Sequence, residues 1–328
     1  MEQTYSHGKT GKKFVLLLLV SVLFLLCGCY VPVLGTLVTF VWAVPICLAV
    51  FRCGIAASSL LATFLAGLSF ILMGPYDGIV TAGTMAFLGL FYGIRMKEKA
   101  SPGMTLFGGI LIAAVVEGLY LLALWKFGGV SFADFQASFE AYMTEIYSDA
   151  SVADLAVEEG MSAAAYAKEL SSMMAQILPS FYFISVMLVA AVNGMAAQAY
   201  LKKKAPDTVA LPAFGEWHLP WWILWGIVLA LVLLVAGNGF HLELLVIVAK
   251  NIFVCFAPLF LIAGISLLRY YFVKWRLSGG VQVLLWILLL FFVSFSAVFL
   301  VLLGMADTVL NYRAASERKK KNDGGHEI

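Results

Sequence analysis

The sequence predicts an all-α integral membrane protein, a polytopic bundle of about nine transmembrane helices. Three observations predict it. Of the 328 residues, 62% are hydrophobic and only 12% are charged. The mean hydropathy is +0.97. The charges gather between long stretches that carry none. A soluble domain ordinarily carries about a quarter of its residues as Asp, Glu, Lys or Arg, because its surface must be solvated. The composition therefore excludes a soluble enzyme, a nucleic-acid-binding domain and a disordered chain. The formal net charge is only +2, so no general attraction to polyanions follows.

The uncharged runs place the helices. A spanning helix needs roughly 20 apolar residues at 1.5 Å each. Residues 14–51 carry no Asp, Glu, Lys or Arg, and the run breaks at Pro32 and Gly35, which gives spans at 14–33 and 36–51. The later runs give 55–73, 78–94, 104–126, 177–201, 219–237, 242–270 and 280–304. Barrel strands would alternate apolar with polar residues, and these runs do not.

Orientation follows from the basic residues of the short loops. Lys9, Lys12 and Lys13 lie in the N-terminal tail, 1–13. Arg52, the group Arg95, Lys97 and Lys99, the run Lys202–Lys204, and the group Arg269, Lys274 and Arg276 follow the even-numbered spans. The alternate loops hold Asp77, an acidic segment and Glu243. The expectation is a multi-pass protein of a bacterial inner membrane with a cytoplasmic N-terminus. The charged tail, 305–328, conflicts with it. An odd number of spans puts Arg313, Arg318, Lys319, Lys320 and Lys321 outside. The long run 242–270, with Lys250, Asn251 and Pro258, is where the parity is least secure.

At the N-terminus, a basic stretch, an apolar run and Leu26-Cys27-Gly28-Cys29 share the order of a lipoprotein signal with Cys29 as the lipidated residue. The apolar stretch continues past Cys29, which suits an uncleaved first helix better. The five cysteines sit in or at the ends of spans and read as small apolar residues. Trp217, Trp221, Trp222, Trp225, Trp125, Tyr270, Tyr271 and Trp275 fall at span ends, where amphipathic rings anchor at the headgroups.

Residues 130–176 form one long acidic loop. Phe132, Phe135, Phe139, Tyr142, Met143 and Ile146 recur at helical spacing, which marks an amphipathic helix. Ser151 and Asp154 have the spacing of a capping box, and Ser162 is placed to cap a second helix. The pair of helices is either a lid over a solute cavity, with Phe132, Phe135, Phe139 and Tyr142 facing down, or a solvated cap.

No phosphate-binding loop, GxGxxG, HExxH or GxSxG motif occurs. No catalytic residues and no cofactor or metal site are expected. Two charges lie deep in spans, Glu117 and Lys250, at a matched depth of roughly 12–13 Å from the outer ends of their helices. Each costs about 2.5–3.5 kcal/mol at mid-membrane and calls for a partner or water. They form either a shared polar environment with a transport role or a pair that fixes helix packing. Asn193, Gln198 and Asn251 read as hydrogen-bonding links between helices. Small-residue stripes, such as Ala82, Ala86, Gly89 and Gly93, or Ala190, Gly194 and Ala197, permit close helix approach.

The order of spans carries a resemblance, together with three local features. These are Tyr30-Val31-Pro32, then Leu211-Pro212-Ala213-Phe214 with Trp217-His218-Leu219-Pro220, and Gly304-Met305-Ala306-Asp307 with Asn311-Tyr312-Arg313. Across essentially the whole chain it resembles the YybS-type family of uncharacterised bacterial membrane proteins. Spans 1–6 are similar to the six-helix substrate-binding S components of energy-coupling-factor transporters. That resemblance implies a six-helix core at 14–201, a cytoplasmic linker at 202–218 and a three-helix extension at 219–304. It also implies a small solute and a membrane-protein or ATPase partner that supplies energy. The first span lacks the AxxxA docking pattern of S components; Ala62 and Ala66 carry that spacing in span 3. Two functions stand: solute binding associated with transport, or a scaffold or regulatory protein of the lipid bilayer.

Overall fold

The computed structural model describes residues 2–129, 131–147, 162–204 and 211–314. Among these residues the regular structure is helical, without a strand. Seven helices are long and apolar enough to cross a membrane, or eight spans with one bent pair counted as a span. One of the seven, Ile55–Lys97, doubles back on itself, which brings the passes close to the expected number. The chain divides into two compact units. The first is Met1–Ser172 with Tyr182–Leu211, and the second is Met173–Phe181 with Pro212–Ile328.

In the first unit, α1 (Glu2–Tyr30) is followed by a bent pair, α2 (Pro32–Thr39) and α3 (Val44–Cys53), with 48° between them. Pro32 and Pro45 each occupy a first turn, where a missing N–H costs nothing. Next comes α4 (Ile55–Thr81), which has one non-helical residue, Gly74, at φ 80° and ψ −178°. Only glycine adopts that backbone readily, and Pro75 then restarts the helix. The chain reverses there. A Cβ on Gly78 would lie 2.9 Å from the Cα of Phe70, eight residues back, whereas a straight helix separates such residues by about 12 Å.

The returning arm runs through a π-helical segment, Ala82–Phe87, into α5 (Leu88–Lys97). α6 (Pro102–Phe127) follows, then α7 (Phe132–Tyr147) and α8 (Ala163–Lys204), of which Met173–Phe181 belongs to the second unit. The small-residue stripe of α5 is a packing device. A Cβ on Gly89 would meet the Ala43 carbonyl at 2.7 Å, and one on Gly93 would meet Val50 at 2.6 Å. Between them Tyr92 is fully buried and donates to the Ala190 carbonyl at 2.7 Å. Gly109 and Gly194 leave room for its ring.

α7 opens on a capping box. Ser131 donates to Asp134 from its N–H at 3.0 Å and from its hydroxyl at 2.6 Å, and its Oγ accepts from the Asp134 N–H at 3.1 Å. These bonds hold the Asp134 carboxyl below its ordinary range. Ser151 and Asp154 lie outside the described residues.

In the second unit, α9 (Leu224–Gly239) runs antiparallel to α10 (Glu243–Lys274), with Gly226 against Phe256 and Gly237 against Val246. The run expected as a single span at 280–304 is broken. It contains α11 (Gly279–Phe291) and α12 (Val293–Leu310). Thirteen residues span about 20 Å, too short for the roughly 30 Å hydrocarbon core. At the break the Ser296 hydroxyl reaches back seven residues to the Leu289 carbonyl, 2.6 Å away.

α12 then advances in the direction of α10. Gly304 lies against the Phe260 carbonyl, and further on Arg313 donates to Ser266 Oγ at 3.1 Å and stands over the Tyr270 ring at 5.8 Å. α11 and α12 therefore form a hairpin that leaves from, and returns to, the C-terminal end of α10. The sequence motifs at 211–220 and 304–313 meet there. The Ser266 hydroxyl lies within 2.6 Å and 2.7 Å of the Phe214 and Trp217 carbonyls. Arg313 also forms a buried ion pair with Asp307, Nη2 to Oδ2, at 3.4 Å.

Candidate functional site

Two features of the first unit converge on one space. The first is the break between α2 and α3, which leaves the Thr39 carbonyl and the Ala43 N–H without their mutual helical bond. Asn193 of α8, fully buried, fills that gap. Its Oδ1 accepts from the Ala43 N–H at 3.0 Å, and its Nδ2 donates to the Thr39 carbonyl at 2.8 Å and the Val189 carbonyl at 2.9 Å. The break carries Trp42. A Cβ on Gly28 would lie 3.4 Å from Cζ3 and 3.8 Å from Cε3 of that indole, so the benzo edge faces α1. The N–H sits on the opposite edge. It is buried and has no hydrogen-bond partner among the described residues.

The second feature is the reversal at Gly74, which sets Asp77, Val80 and Thr81 on the returning arm. Thr81 is buried and donates to the Met73 sulfur at 3.1 Å.

Together these elements line an open pocket of about 270 Å³, formed by Trp42, Met73, Asp77, Val80, Thr81, Glu117, Tyr120 and Tyr182. Glu117 and Tyr120 are three residues apart on α6 and so share one face. Glu117 is 7% exposed, while Asp77 is exposed at the rim. The Tyr120 phenol interacts with both carboxylates. Neither Asp77 nor Glu117 is in an ion pair among the described residues, and the lining holds no Lys, Arg or His. No group of three or more His, Cys, Asp or Glu side chains suited to a metal ion occurs among the described residues.

The other expected residues lie elsewhere. Lys250 is in the second unit, exposed, and donates to Gln176 Oε1 at 3.0 Å. It lines a separate cavity of about 310 Å³ whose remaining walls are apolar: Ile177, Ala230, Leu231, Leu234, Ala249, Phe253 and Val254. Asn251 binds the Ser180 N–H at 3.1 Å and the Ser180 hydroxyl at 2.6 Å, and donates to the Gln176 carbonyl at 2.7 Å. Glu117 and Lys250, matched in depth along their helices, thus have neighbours within separate units. Phe139 is half-buried and Tyr142 exposed, and neither lines the 270 Å³ cavity. The side chains of Phe132 and Phe135 lie outside the described residues.

Sequence reasoning singled out Glu117 and missed Asp77, Trp42, Tyr120 and Tyr182. The signal for Tyr120 was its spacing from Glu117, and for Asp77 its place just beyond Gly74-Pro75.

Residues 18–308 match the family described as "Predicted membrane protein (DUF2232)". The chain belongs to this family. A relative from Bacillus subtilis (strain 168), the uncharacterized protein YybS, is 25% identical over 250 residues, covering 74% of this chain and 77% of its own. No solved structure matches. DUF2232 carries no assigned activity, so the chemistry of the site has to come from its own residues.

Proposed function

We propose that this DUF2232 protein binds a small solute in the cavity of its first unit. The observation that carries this is the Glu117 carboxylate, 7% exposed within an apolar span and without a hydrogen bond or ion pair among the described residues. A charge in a membrane helix is costly, and one retained for packing is ordinarily paired. Glu117 instead faces a space that can take a ligand. The broken second span supports the same reading, because solute sites in transporters commonly form where helices are interrupted.

In this reading spans 1–6 act as an S-component-like binding core in a bacterial inner membrane, with the N-terminus cytoplasmic. The cavity then opens to the outer face, where Asp77 sits. The chain has no nucleotide-hydrolysis motif, so another membrane protein or an ATPase supplies any energy. The competing reading, a scaffold, requires that this space be closed to water.

The test is a cysteine in place of Val80 in an otherwise cysteine-free full-length chain, treated in intact cells with a small membrane-impermeant thiol reagent. Labelling is expected at Val80→Cys and not at Ala113→Cys, where the native side chain is fully buried. Absence of labelling at Val80→Cys overturns the proposal.

A further inference from the structure

The chemistry of the lining narrows the solute class, an inference that rests on the binding reading above. The cavity presents two carboxylates, Asp77 at the rim and Glu117 in the wall, and no cationic side chain to balance them. Their combined field favours a positive occupant. The rest of the lining decides what kind. A hard metal ion requires six to eight oxygen ligands at short range. Here only two carboxylates are present, no group of three or more metal-suited side chains occurs among the described residues, and the other walls are Trp42, Tyr120, Tyr182, Met73, Val80 and Thr81. Aromatic rings together with carboxylates are the surroundings in which organic ammonium groups are held.

The open pocket of about 270 Å³ has room for a small organic ion.

We infer that the solute is a small organic cation, its charge held by Asp77 and Glu117 among the aromatic walls. Choline and tetramethylammonium have this chemistry. The neutral carbon isostere of choline, 3,3-dimethylbutan-1-ol, keeps the shape and lacks the charge.

The experiment is protection of the Val80→Cys chain from the thiol reagent by these three probes. Choline and tetramethylammonium are each expected to slow labelling at least fivefold, and 3,3-dimethylbutan-1-ol not at all. Adding Glu117→Gln should abolish protection by choline.

Labelling that no cation slows, or that the neutral alcohol slows equally, overturns the inference while the open cavity stands. Failure of Val80→Cys to label at all overturns the binding reading itself. Gel filtration and thermal unfolding of each variant in detergent separate loss of binding from loss of fold.

Discussion

Asn193 holds Ala43 across the break in the second span, its Oδ1 taking the Ala43 N–H at 3.0 Å while its Nδ2 gives a bond to the Thr39 carbonyl at 2.8 Å. One amide thus bridges the two ends of the single Ala43-to-Thr39 bond that a continuous helix would supply, and it fixes the residue beside Trp42. Asn193→Ala is expected to destabilise the protein by about 2 kcal/mol, because it leaves a buried donor and acceptor unpaired. Asn193→Asp should cost less if the Ala43 bond dominates, since it keeps that acceptor. Thermal unfolding in detergent measures both, and an unchanged midpoint for Asn193→Ala would contradict the bridging role.

The crossing of α10 and α12 depends on two glycines. A Cβ on Gly264 would strike the backbone of Leu300, and one on Gly304 would strike that of Phe260. Backbone cannot move aside as a flexible side chain can, so Gly264→Ala or Gly304→Ala should each cost about 1–3 kcal/mol. Gly103 and Gly279 face open space, and alanine there should change stability by less than about 0.5 kcal/mol. Equal effects at all four positions would rule out the close crossing.

Asp307 and Arg313 are both buried, and the Tyr312 N–H adds a bond to Asp307 Oδ1 at 3.1 Å. Asp307→Ala strands the guanidinium and should cost about 3–5 kcal/mol. The double replacement Asp307→Leu with Arg313→Met should cost clearly less than that single change. A double-mutant cycle on unfolding free energies reads the coupling directly, and a coupling near zero would show that the pair is incidental.

Gly74 stands at a backbone angle that an L side chain adopts only with strain. Gly74→Ala is expected to cost about 1–2 kcal/mol, although a Cβ there meets no neighbour. Gly67, also in open space but with ordinary helical backbone, is the control, and alanine there should bring no loss. If both changes behave alike, the hairpin does not depend on the left-handed residue.

The helical membrane class was legible because uncharged runs are long and nearly continuous, and the turn at 74–77 was legible because Gly, Pro and Asp interrupt one of them. The break within 280–304 was not legible. Phe291 and Phe292 are as apolar as the residues around them, so composition carries no mark of the reversal; its sign is a single hydroxyl, Ser296, turned back on Leu289. The site divides in the same way. Glu117 is conspicuous as a lone charge in a span. Trp42, Tyr120 and Tyr182 look like ordinary membrane aromatics until the break in the second span and the reversal at Gly74 bring them around one space. The expected tie between Glu117 and Lys250 rested on depth alone, and depth does not specify which neighbours a helix face has.

The hairpin of α11 and α12 bears on how the chain enters the bilayer. Residues 277–306 contain no Asp, Glu, Lys or Arg. A loop of that kind can be inserted from one face, both arms together, without carrying charge through the hydrocarbon. Arg313, Arg318, Lys319, Lys320 and Lys321 follow it in the chain. Had 280–304 been a single crossing, all five would have had to be translocated, at a cost of about 2.5–3.5 kcal/mol for each at the bilayer centre. With the hairpin the chain at Arg313 comes back to the end of α10 from which the hairpin left. A reporter fused after Ile328 should therefore report the same side as a cysteine placed at Ser278. The last step of biogenesis then needs no export of the tail, only the lateral release of an uncharged loop into lipid.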